Sequence, residues 1–103
     1  MLTLKDGDGA HDKASYLDRE NVYRLNIGIR KNTFLNLFHE LPQRPSAGEI
    51  VAMDYDFTAL DRLMPHPVYA WMGWIAVCNP TIQTFEECKP YIQEAYEFAI
   101  EKY

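Results

Sequence analysis

The chain has 103 residues, with 10 Lys and Arg against 15 Asp and Glu for a formal charge of −5, and 48% hydrophobic and 24% charged residues. That length supports one core and not two, and the composition excludes wholesale disorder. The acidic balance supplies no general pull towards nucleic acid or anionic lipid.

Two cysteines, Cys78 and Cys88, are too few to staple a small secreted fold and lack the spacing of a metal site. They read as reduced, packed thiols. Asp6 arrives before an apolar leader region can form. No apolar run reaches the length of a membrane span. The expected setting is cytoplasmic, with no leader and no membrane contact.

In chain order, Leu2-Thr-Leu4 predicts a short strand, and Asp6-Gly-Asp-Gly9 is turn chemistry. Residues 21–29 alternate with period two. Tyr23, Leu25, Ile27 and Ile29 are assigned to the core face, and Val22, Arg24, Asn26 and Gly28 to an outer face. Gly28 is expected to leave open space there. The two strands pair as antiparallel neighbours joined by a long loop through residues 15–18.

A short helix is predicted from 32 to 41, with Phe34, Leu37, Phe38 and Leu41 on one face and Pro42 as its stop. Residues 43–48 read as a surface loop. Asp56 looks like the N-cap of a second short helix reaching Met64, with Phe57, Leu60 and Met64 at helical spacing. Residues 68–78 read as a strand apolar on both faces, hence central or covered on both sides.

Thr84-Phe-Glu-Glu87 matches a capping box for a C-terminal helix. Its apolar stripe comprises Phe85, Cys88, Ile92, Ala95, Tyr96, Ala99 and Tyr103. Pro90 either lies in its first turn or bends it. The order strand, strand, helix, short helix, strand, helix defines a single α+β domain over residues 1–103, a small antiparallel sheet with helices packed on one face.

Candidate chemistry is sparse. Asp6, Asp8, His11 and Asp12 resemble the opening of a calcium loop, but the glycine is out of register and Leu17 stands where a carboxylate is needed. His11, His39 and His66 lack metal-ligand spacing. No metal and no cofactor are expected.

His66 lies between Pro65 and Pro67, close in sequence to Asp61 and Arg62 and just before an aromatic strand. A histidine oriented by a carboxylate can serve as a general base, although it serves as often as a structural hydrogen-bonding group. Trp71 and Trp74, three positions apart, would point to opposite faces of a regular strand, which weakens a continuous stacking platform. Arg24 and Asn26 on the outer face are suited to holding an anion. The candidate binding residues are therefore Arg24, Asn26, Asp61, Arg62, His66 and Trp71.

Three segments, Tyr23–Gly28, Asp61–Tyr69 with Met72–Trp74, and Thr84–Glu87 with Glu94–Tyr96, resemble the signatures of an uncharacterised bacterial family, domain of unknown function 6194. More distantly, the order of elements is similar to the MmcQ/YjbR-like fold, a double-wing α+β arrangement associated with DNA binding. The resemblance implies a further helix and strand ahead of residue 1, so the chain reads as a shortened form. A sheet shortened in this way invites a homodimer through its exposed edge.

The leading expectation is a non-enzymatic binding or regulatory domain. The alternatives are a small enzyme with His66 as base, and a structural homodimer or weak nucleic-acid binder. The net charge argues against nucleic acid.

Overall fold

A computed structural model describes residues 1–102, so Tyr103, the last position of the expected helical stripe, lies outside the described residues. Four strands form one antiparallel sheet: β1 (Leu2–Lys5), β2 (Arg24–Gly28), β3 (Met64–Pro65) and β4 (Trp74–Cys78), in the spatial order β1-β2-β4-β3. Two helices accompany it, α1 (Lys31–Phe38) and α2 (Ile82–Glu101). The chain is thus an α+β fold, as the order of apolar patterns predicts.

Register places the side chains. Leu2 opposes Ile27 and Leu4 opposes Leu25, while Leu25 opposes Val77 and Ile27 opposes Ile75. Directly paired residues share a face, so these apolar residues form one side of the sheet. Thr3, Asn26 and Ala76 belong to the other, as do Arg24 and Cys78. The loop between β1 and β2 lies over this second side, through Asp12 and Ser15. The apolar side is left to α2, which packs on β1 and β2 and buries Cys88 and Ala95.

The period-two reading of β2 is correct, but its outer face is not open to water. All five of its residues are buried, and β2 is central, between β1 and β4. The space beside Gly28 is likewise filled. A Cβ there would stand 2.8 Å from Cε2 of Trp74, so the indole lies where a side chain would be.

α1 ends at Phe38 rather than at residue 41. His39 takes the left-handed conformation (φ 68°), and its N–H closes onto Leu35 O at 2.8 Å. At the other end, Glu94 of α2 accepts from the Arg30 N–H and the Thr33 hydroxyl, which ties the first turn of α1 to α2.

The expected helix from 56 to 64 does not form. The Asp56 carboxylate accepts from the N–H and hydroxyl of Thr58, a local turn bond that competes with helix continuation. Asp61 then sits at φ 57° and donates its N–H to Cys78 O, and Met64 and Pro65 pair with β4. Helical spacing of Phe57, Leu60 and Met64 was coincidental to a segment that the sheet recruits.

The strand expected from 68 to 78 is realised only from Trp74 onward. Ahead of it the chain makes a single 3-10 turn, Ala70–Met72, closed by Gly73 at φ 91°. α2 begins at Ile82, two positions before the capping box. Thr81 is its N-cap, and its hydroxyl accepts from the Thr84 N–H. The helix runs on through Pro90, so Pro90 does not mark its start.

Candidate functional site

The first polar centre is built on β2. Arg24, with no exposed surface, sends four N–H groups to Asn26 Oδ1 (2.6 Å), both oxygens of Asp12 and Ser15 Oγ (3.0 Å), and its Nη2 also lies 3.2 Å from His66 Nε2. Asn26 in turn donates to the Thr3 hydroxyl. A strand otherwise made of Leu, Ile and Gly can hold a guanidinium only if each of its nitrogens finds an acceptor and a carboxylate compensates the charge. Asp12 is that carboxylate. Burial pushes its carboxyl up, but hydrogen bonds and charge from Arg24 outweigh burial and hold it below its ordinary value.

His66, 2% exposed, faces donors on both sides. Its Nδ1 accepts from the N–H groups of Val68 and Tyr69, each at 3.1 Å, and its Nε2 faces Arg24. Burial and the Arg24 charge push its pKa down to about 3, with Asp12 opposing weakly. The ring is neutral: because Nδ1 accepts, its one proton sits on Nε2, and a second proton on Nδ1 would remove the acceptor from both backbone N–H groups. It serves as a brace: by accepting two successive backbone N–H groups it holds the turn that replaces the expected strand.

Of the six candidate residues, this centre unites Arg24, Asn26 and His66, on a covered face rather than an outer one. Asp61 and Arg62 are not its members. Asp61 Oδ1 accepts the Thr81 N–H at 2.7 Å, so Asp61 braces the start of α2. That bond, with help from the Thr84 hydroxyl, lowers its pKa. Arg62 lines a shallow recess of about 250 Å³ with Asp54, Tyr55, Asp56 and Met64. The carboxylate beside His66 is Asp12, from a segment that reads as a polar turn. The one signal that could have pointed to it is Arg24 itself, because a cation inside a Leu/Ile strand requires an acidic partner from elsewhere.

Trp71 belongs to a second place, an open cleft of about 680 Å³ where β2 leaves the sheet and β4 enters it. Trp71, Met72 and Trp74 line it from the β4 side, Arg30, Lys31 and Asn32 from the start of α1, and Phe98, Ala99 and Lys102 from the end of α2. The guanidinium of Arg44 lies 5.0 Å over the Trp71 ring. Those of Arg30 and the Lys102 ammonium lie 4.9 and 4.5 Å over Phe98. Arg30 is also paired with Glu101 at 2.7 Å. Sequence reasoning selected Trp71 but not Lys31, Phe98 or Lys102. Those residues lie far apart along the chain and carry no motif.

The two centres meet at Trp74, whose ring packs edge-on against His66 with centroids 6.2 Å apart. A small α+β domain with a saturated polar brace beside an aromatic, cation-rimmed cleft is the class defined by this geometry. The chain belongs to a family of unknown function (DUF6194), whose profile matches residues 1–103. No curated protein and no solved structure matches it.

Proposed function

We propose that the chain is a non-enzymatic binding domain whose ligand, a small organic molecule, sits in the cleft lined by Trp71 and Trp74. The cleft itself carries the reading. Its size falls within the range of roughly 300–1,000 Å³ typical of small-molecule sites, and aromatic walls with a few polar groups at the rim are the usual composition. Trp71 is the member of the sequence-derived set that supports this location. Arg24, Asn26 and His66 take the supporting role, holding β2 and the turn before Trp74 in place.

The enzymatic alternative with His66 as base loses its chemical footing. A base needs a nitrogen facing its substrate, and both nitrogens of His66 face protein donors in a buried setting. An MmcQ/YjbR-like arrangement and a bacterial source remain part of the proposal, supported by the order of elements and by the segment resemblance. A cytoplasmic setting is supported by two free, buried cysteines.

The test uses an optical property of the chain. Both of its tryptophans line the cleft, so intrinsic tryptophan emission reports on ligand entering that site. Titration with a panel of aromatic and aliphatic fragments is expected to give saturable emission changes for some members. Trp71→Ala is expected to weaken those by tenfold or more while leaving the far-ultraviolet circular dichroism unchanged. A panel in which no fragment saturates, by emission or by ligand-observed NMR, would overturn the reading.

A further inference from the structure

We infer that the ligand of this cleft is a planar aromatic anion, a ring system bearing a carboxylate or a phosphate, an inference that rests on the binding-domain reading above. Charge distribution carries it. The chain as a whole is acidic at −5, yet the cleft wall includes Arg30, Lys31 and Lys102, three of only ten cationic side chains, and no Asp or Glu. An even spread of charge would place more carboxylates than cations on any surface of this chain.

The cations differ in availability. Arg30 is engaged by Glu101, whereas Lys31 and Lys102 form no ion pair among the described residues. Lys102 is held at the rim by the face of Phe98, a position that leaves its ammonium hydrogens for an anion. These two lysines are the anion-binding pair.

Flatness follows from the walls. Each indole is anchored on one side, Trp71 by the guanidinium of Arg44 and Trp74 by the backbone of Gly28, and both still border the cleft. Rings fixed in this way offer preorganised stacking surfaces at low entropic cost. An aliphatic anion would meet the lysines but waste the indoles. A neutral ring would meet the indoles and leave the two ammonium groups at the rim unused.

The experiment compares three probes of one ring system, 1-naphthoate, 1-naphthyl phosphate and 1-naphthamide, by tryptophan emission and by calorimetry on the full chain. At least one anion is expected to bind tenfold or more tightly than the amide, and its affinity to fall as sodium chloride is raised. Which anion binds more tightly identifies carboxylate or phosphate as the natural group. The double variant Lys31→Ala/Lys102→Ala, at exposed positions that the fold does not need, is expected to abolish the preference while sparing amide binding. Equal affinity for all three probes, unmoved by the double variant, would overturn the anion assignment and leave the cleft reading standing. Failure of all three probes, with other fragments still binding at Trp71, would overturn it equally. Only failure of the whole fragment panel touches the binding-domain reading itself.

Discussion

Arg24 and Asp12 contribute unequally to stability, because their surroundings differ. The guanidinium is wholly buried, whereas the Asp12 side chain keeps 17% of its surface in contact with solvent. Removing Asp12 strands a cation in the sheet; removing Arg24 leaves a carboxylate that can still reach water. Breaking a buried pair costs about 3–5 kcal/mol. We expect Asp12→Ala to fall in that range and Arg24→Met to cost less, as measured by urea denaturation. The reverse order would show that Asp12, not Arg24, is the more deeply committed charge. His66 sets the pH response. Its folded pKa of about 3 lies below the unfolded reference of 6.5, so the unfolded chain takes up a proton first as pH falls. Stability is therefore complete above about pH 6.5 and declines below it, by about 1.4 kcal/mol per pH unit at the steepest, or about 2 kcal/mol by pH 5. Asp12, also depressed in the folded state, adds a loss of the same sign only below about pH 4. His66→Asn supplies an acceptor that does not titrate, and its stability between pH 7 and 5 should be flatter than that of the parent chain. An unchanged slope would assign the pH dependence to other groups.

At the scale of elements, Gly73 decides where β4 starts. Its φ of 91° is one that other residues adopt only with strain, and a Cβ would stand 2.9 Å from the Ile29 carbonyl oxygen. Gly73→Ala is expected to cost about 2 kcal/mol or more. It should also perturb the emission of Trp74, the next residue. An alanine variant with parental stability and emission would mean that the turn relaxes without disturbing β4. The same turn explains why a run of eleven apolar residues became only five residues of strand. His66 Nδ1 satisfies the N–H groups of Val68 and Tyr69, so this backbone needs no ladder partner. Local propensity in residues 68–73 favours extended chain. A buried side-chain acceptor and a glycine outweigh it.

At the scale of the whole molecule, the buried apolar residues of the sheet, the helices and the loops form one cluster, from Leu17 and Val51 to Cys88 and Ala95. Such a chain should unfold cooperatively. Tryptophan emission, which reports on the cleft, and circular dichroism at 222 nm, which reports mainly on the helices, are expected to give coincident urea transitions. Separate midpoints would show that the cleft end opens before the rest. The contact between Trp74 and His66 makes such early opening costly, because it joins the cleft wall to the polar brace. β1 is an edge strand with Leu2 and Leu4 exposed.

The sequence by itself determined the α+β class, the antiparallel pairing of the first two strands and the long C-terminal helix, and it narrowed the run containing β4 to a strand that is central or covered on both sides. Each of these rests on an apolar pattern or a turn signal, local features that survive in one dimension. It also singled out Arg24, Asn26, His66 and Trp71. Only the tertiary structure decided what those residues do. A period-two pattern separates two faces of a strand, but it cannot say that a loop from residues 6 to 20 will cover the polar one and bring Asp12 to Arg24. Nor can it bring Lys31, Trp71, Phe98 and Lys102 to one cleft, since their proximity comes from how β2, α1, β4 and α2 end at the same corner of the sheet. Positions far apart in sequence become a site only when the core they share has closed.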